Sequence, residues 1–196
     1  MRDLNVEPIR VATFCGSTQA ASVNRQLIAA AQGMAGSRFA FEAYEGLAAL
    51  PHFNPDLDGG APPPEVEVLR EAIAGADAVL ISTPEYAIGV PGTLKNALDW
   101  TVSSMQFSNK PVALVTAATS GFRAHASLLG TLLIIEARMT SRTQLLVSAA
   151  RAKVRGGEVV DAETRAGLVA LLDELAAMVG SPDQLRDYLR APPMVP

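Results

Sequence analysis

The sequence predicts an α/β fold, a doubly wound five-stranded parallel sheet with helices on both faces. Three observations predict it. Five short β-rich runs alternate with helical segments along a chain of 196 residues. Two of those runs are continuously apolar, as strands covered on both faces are. Hydrophobic residues make up 49% of the chain and aromatics only 5%, so the core must come from Ala, Val, Leu and Ile. No repeat or linker divides the chain. Residues 1–196 are therefore read as one domain, a length that supports one sizeable core.

The elements follow in order. Ile9–Cys15 (IRVATFC) is the first strand and ends at Gly16. Residues 22–34 place Val23, Leu27, Ala30, Ala31 and Met34 at helical spacing. Phe39–Tyr44 alternates and reads as an edge-like second strand. Residues 46–64 are rich in Pro, Gly and Asp and form a long loop. A helix follows over 65–74, and 77–83 (DAVLIST) is a central strand. Pro91 suits a helix's first turn, and 92–103 continue that helix. Residues 111–117 are the fourth strand, 122–136 a helix, and 143–147 the fifth strand. Residues 162–179 are the last long helix, with a short helical tail after Pro182.

Composition excludes several classes. The formal net charge is −4 and no basic stripe appears, so nucleic acid is not an expected partner. No run of about 18 uncharged apolar residues exists to cross a membrane. The first ten residues carry acids and run directly into a strand, unlike a signal peptide. A cytoplasmic protein is expected. One cysteine excludes an intramolecular disulfide framework, and two histidines, His52 and His125, give a metal site little to build on.

In open α/β sheets, ligands bind beyond the carboxyl ends of the strands, where the strand order reverses. Three loops qualify. The first, 16–24 (GSTQAASVN), brings the hydroxyls of Ser17, Thr18 and Ser22 to a helix start, an anion-binding arrangement. With one glycine it matches neither GxGxxG nor a Walker loop, so a terminal monophosphate fits better than a pyrophosphate. The plainer alternative is that Ser22 only caps the helix. The second, 84–92 (PEYAIGVPG), sets Tyr86, Ile88 and Val90 in a stiff segment. It suits a flat apolar wall for a planar ring, or equally a rigid surface loop packed on a neighbouring subunit. The third, Ala118, Thr119, Ser120 and Gly121, either touches the far side of the same ligand or simply begins a helix.

Taken together, these segments resemble the NADPH-dependent FMN reductase family of small quinone, chromate and azo-dye reductases. Residues 16–25 (GSTQAASVNR) are similar to its G-S-x-R-x-x-S-x-N loop. Residues 84–100 (PEYAIGVPGTLKNALDW) resemble its P-E-Y-N-x-x-x-P-x-x-L-K-N-x-[IL]-D-W signature, and 50–58 (LPHFNPDLD) its acidic loop after strand two. The resemblance covers about the first two-thirds of the chain. It implies a flavodoxin-like fold with strand order 2-1-3-4-5. It also implies an FMN phosphate on Ser17, Thr18, Gln19, Ser22 and Asn24. The isoalloxazine would lie along Pro84, Glu85, Tyr86, Ala87 and Ile88, with Thr119, Ser120 and Gly121 closing the site. NADPH would deliver hydride to the ring, and a small acceptor would take the electrons in a ping-pong cycle with no catalytic side chain. The helix carrying Lys95, Asn96, Asp99 and Trp100 would face a partner in a homodimer or homotetramer.

Two positions depart from the pattern. Gln19 stands where the family has arginine, and Ala87 where it has asparagine. Each lost contact weakens FMN binding by about 1–3 kcal/mol. A flavodoxin-type electron carrier and a flavin-free domain that keeps only the fold are the competing readings.

Other residues have plainer readings. Cys15 reads as a buried structural thiol and His125 as a surface histidine near a ligand loop. His52 reads as solvated. Trp100, Tyr86 and Phe107 read as interface aromatics, with a ring pocket as the alternative. Asp56 and Asp58 read as turn formers. Arg151, Lys153 and Arg155 read as a solvated basic cluster, with an NADPH phosphate contact as the alternative.

Overall fold

A computed structural model describes residues 7–181 and 186–192. Strands β1 (Ile9–Cys15), β2 (Phe39–Tyr44), β3 (Ala78–Thr83), β4 (Val112–Ala117) and β5 (Gln144–Val147) form one sheet in the order β2-β1-β3-β4-β5. Every neighbouring pair is parallel. The expected fold class and strand order are both realised. β2 is an edge strand, as expected, and all six residues of β3 and of β4 are buried.

Side chains two apart along a strand point to the same face, which splits the core into two layers. On one face, Val11, Leu80, Ala113 and Val115 meet Leu27 and Ala31 of α1 (Val23–Ala35) and Leu168, Leu171 and Leu175 of α7 (Ala162–Gly180). On the other, Phe14, Val79, Ile81 and Leu114 meet Leu69 of α3 (Pro64–Ala74), Leu94 of α4 (Gly92–Asp99) and Leu128 of α5 (Phe122–Ile134).

Several boundaries differ from the sequence reading. The 46–64 loop contains a short helix, α2 (Pro55–Asp58), which Asn54 starts by accepting from the Asp56 amide at 3.0 Å. α4 ends at Asp99 rather than 103, and α5 at Ile134 rather than 136; turns follow each. After β5 come a four-residue helix, α6 (Ala150–Lys153), and a hairpin of β6 (Val154–Arg155) with β7 (Glu158–Val159), none of them anticipated. Of the expected helical tail, residues 182–185 lie outside the described residues. Residues 186–192 are not helical; Tyr188 bridges to Thr140, and the Leu189 amide donates to the Met139 carbonyl at 2.9 Å. These contacts hold that stretch as an extra segment rather than a helix.

Four side-chain assignments change with the packing. Trp100 and Phe107 are fully buried within this chain, so they are core residues and not interface aromatics. Asn96 faces the 51–53 loop of its own chain, donating to the Pro51 carbonyl at 2.9 Å and accepting from the Phe53 amide at 2.8 Å. Asp58 is more than a turn former: it pairs with Arg70, and both side chains are largely buried.

Candidate active site at the carboxyl edge of the sheet

Because all five strands run the same way, the loops after β1, β3, β4 and β5 emerge at one edge. β1 lies between β2 and β3, so the chain's winding reverses beside it. Gly16 begins the first loop beside the end of β3. Its amide donates to the Ser82 carbonyl at 2.8 Å, and a Cβ there would lie 2.8 Å from Thr83 Cβ and 3.1 Å from Leu94 Cδ2. Only glycine fits without displacement.

The loop then closes on itself. The Ser22 amide donates to the Gln19 carbonyl at 3.1 Å, and the Gln19 amide to Ser17 Oγ at 3.3 Å. Ser22 caps α1, accepting from the Asn24 amide at 3.2 Å. Amides in a helix's first turn have no partner earlier in the helix, and its dipole is positive there. Val23 and Asn24 of that turn line a cavity of about 850 Å³.

The second loop reaches the first directly, with Ser17 Oγ 3.1 Å from the Tyr86 hydroxyl. The two segments that carried the sequence reading therefore share one cavity wall. Of the predicted residues, Ser17, Gln19, Ser22, Asn24, Pro84, Glu85, Tyr86 and Thr119 line that wall. Thr18, Ala87, Ile88, Ser120 and Gly121 lie outside it.

Two of the lining residues are occupied by the fold. The Asn24 side chain is buried, donating to the Ala117 carbonyl at 3.0 Å and accepting from Ser82 Oγ at 2.9 Å. It straps α1 to β3 and β4 instead of presenting a free amide. The Glu85 carboxylate accepts from the Gly121 amide at 3.2 Å and the Ala124 amide at 2.9 Å. It caps α5 and joins the second loop to the third. The Ala124 amide, with that of Gly121, holds this carboxyl below the usual glutamate range. A depressed carboxyl stabilises the fold above its unfolded value, and that contribution is lost as pH falls through the folded value. Thermal unfolding across the acid range should show wild type losing its advantage over Glu85→Gln as the pH drops.

Ala87 (φ 49°) and Ile88 (φ 65°) are consecutive left-handed residues. Tyr86 and Gly89 exchange backbone hydrogen bonds at 3.0 and 2.9 Å across them. This is the two-residue hairpin that favours Asn-Gly, and a β-branched residue is out of place in it. Ile88, 71% exposed, gains little packing in return. The double change Ala87→Asn and Ile88→Gly is expected to stabilise the protein by about 1–2 kcal/mol, read as a higher urea midpoint at unchanged slope.

Sequence reasoning missed most of the wall contributed after β5, naming of it only Arg151, as a solvated residue or an NADPH phosphate contact. Ala149, Ala150, Arg151, Ala152, Val154 and Gly156 line the same cavity, as does Gln26 of α1. The signal was available, since β5 is parallel and its loop must emerge at the same edge. His125 is not a free surface histidine. Its ring nitrogens lie 2.9 Å from Thr116 Oγ1 and 2.9 Å from Gln144 Oε1, and burial lowers its pKa. Cys15 is only partly buried, with its thiol pKa raised by that burial. Among the described residues no group of three or more His, Cys, Asp or Glu is placed to hold a metal.

The model of the NADPH-dependent FMN reductase family matches residues 9–152, from β1 into α6. The chain belongs to the NADPH-dependent FMN reductase family. It is 32% identical over 150 residues to an NAD(P)H-dependent FMN reductase of Pseudomonas aeruginosa, covering 74% of this chain and 80% of that protein. It is 31% identical over 166 residues to a quinone reductase of Escherichia coli K12, covering 81% of this chain and 88% of the other. Among solved structures it resembles the flavoenzyme NAD(P)H:(acceptor) oxidoreductase FerB of Paracoccus denitrificans. That likeness has a TM-score of 0.72 and 27% identity, and covers 92% of this chain and all of that one. As a member of the FMN reductase family, the protein is a flavin-dependent oxidoreductase that works with FMN and a nicotinamide cofactor.

Proposed function

We propose that the protein oxidises NAD(P)H and reduces a small acceptor of the quinone class through FMN held in this cavity. The observation that carries the reading is the joining of the Ser17–Ser22 hydroxyl turn and the Pro84–Tyr86 segment in one wall, tied by Ser17 and Tyr86. The donor set fits the group. Ser17, Gln19 and Ser22 with the first turn of α1 suit a phosphate, and Pro84 and Tyr86 with Thr119 suit a ring edge. The cavity volume lies in the range of small-molecule sites. Held by these residues, FMN would supply two-electron chemistry between a nicotinamide and the acceptor.

The protein's part is to bind and orient. Glu85 fixes the β3 and β4 loops against each other, and Asn24 fixes the phosphate turn to the sheet, so the site is rigid before ligand arrives. No side chain in the wall needs to act as nucleophile or base. The whole chain works as one FMN-binding unit, as a homodimer or homotetramer in the cytoplasm. Exposed Val102, Met105 and Phe122 supply apolar surface for self-association. Among the described residues no helix is long and apolar enough to cross a membrane.

The test is an absorbance spectrum of protein supplemented with FMN and freed of excess, before and after anaerobic NADPH, followed by NADPH oxidation with a soluble quinone. Retained flavin bands that bleach, then return on adding quinone, are expected. Flavin that never co-purifies or binds would overturn the reading; flavin that binds but is not reduced by NADPH would make the protein a carrier.

A further inference from the structure

Resting on the FMN reading above, we propose that Arg151 supplies the cationic partner for the phosphate that the β1–α1 turn lacks. Residues 16–24 contain no lysine or arginine, and position 19 carries the uncharged Gln19. The first cation of the segment, Arg25, is turned to another use. It forms a bidentate pair with Glu45 at 2.6 and 3.0 Å, and it lines a different, smaller cavity. A phosphate on this turn would meet hydroxyls, amides and a helix dipole, but no formal positive charge from the turn itself.

The segment after β5, which lines the same cavity, supplies one. Among the described residues lining the main cavity only Glu85 and Arg151 carry charge, and Glu85 is bound to the Gly121 and Ala124 amides. Arg151 forms no ion pair among the described residues. Its neighbour Lys153, by contrast, is 3.7 Å from Asp161. Placement of Arg151 is not left to a loose loop. The Ala149 and Ala150 amides donate to the carbonyls of Thr119 and Ala118, both at 3.0 Å, clamping α6 to the β4 loop. Beyond it the β6–β7 hairpin is fastened to α1 by the Gly157 amide, which donates to Gln26 Oε1 at 3.3 Å. Ala149 takes a left-handed conformation (φ 52°), which makes the sharp change of direction after β5. Arg151 therefore stands on a fixed rim that shares its wall with α1, the helix whose first turn forms the phosphate end. Guanidinium presents a planar donor fork that matches phosphate, and no ion pair among the described residues has to be broken for it to do so.

Fluorescence titration of apoprotein with FMN and with riboflavin, which lacks the phosphate, tests this. Arg151→Gln is expected to weaken FMN binding about tenfold or more while leaving riboflavin binding unchanged, and the difference should shrink as salt rises. Adding Gln19→Arg to that variant should restore FMN affinity without altering riboflavin. Unchanged FMN affinity in Arg151→Gln would overturn the assignment. So would an equal loss for both flavins, or an effect confined to the Michaelis constant for NADPH. Wild-type protein that binds neither flavin would instead overturn the FMN reading itself.

Discussion

Trp100→Ala is expected to destabilise the protein by about 3–5 kcal/mol, the cost of deleting a large buried aromatic and leaving a cavity. The side chain is fully buried beyond the end of α4. Its indole Nε1 donates to the Pro51 carbonyl at 2.9 Å, and the Phe53 ring meets it edge-on with centroids 5.1 Å apart. Asn96 bonds the same Pro51 carbonyl at 2.9 Å. From the other side, Arg70 donates to the Trp100 carbonyl at 2.8 and 3.1 Å while pairing with Asp58. One residue thus anchors both ends of the acidic 51–58 segment. Because Trp100 is the chain's single tryptophan, unfolding in urea must be followed by far-ultraviolet circular dichroism. Trp100→Phe should cost less, since it keeps most of the volume and loses only the indole donor. A loss under about 1 kcal/mol for the alanine variant would contradict the burial described here.

Asn24→Leu is the second large effect, at about 2–4 kcal/mol, and it links stability to the site. Leucine nearly conserves volume, but it leaves the Ala117 carbonyl and the Ser82 hydroxyl buried and unsatisfied. Each orphaned group costs about 1–3 kcal/mol. Ser82→Ala removes one of the stranded partners, so in a double-mutant cycle the second change should cost less in the Asn24→Leu background than alone. Because this strap holds the β1–α1 turn to β3 and β4, FMN affinity should fall along with stability if that turn holds the phosphate, as proposed. Stability lost without any change in FMN affinity would show that the turn is held by its own hydrogen bonds alone.

The asparagine also shows where sequence reading stops. The spacing of Ser17, Ser22 and Asn24 placed all three on one turn, and the structure places them in one cavity wall. Which polar atoms remain free in that wall was not readable. The carbonyl that engages Asn24 lies 93 positions away. The same holds for Glu85, whose position in the ring segment was plain from the motif but whose carboxylate caps a helix 36 and 39 residues further on. Trp100 read as an interface aromatic because amphipathic spacing says which face of a helix is apolar, not whether its own chain or another covers it.

What the sequence by itself determined was the sheet, its alternation with helices, and the loops at its carboxyl edge. These depend on hydrophobic period and on turn residues, which act over a few positions. Only the tertiary structure decided that α6 joins the cavity with an arginine that forms no ion pair among the described residues, that Ala87 and Ile88 form a hairpin tip outside it, and that Asn24 and Glu85 hold the loops together. Those outcomes depend on contacts between segments far apart in the chain, and a local pattern carries no record of a distant partner until the packed sheet brings the two together.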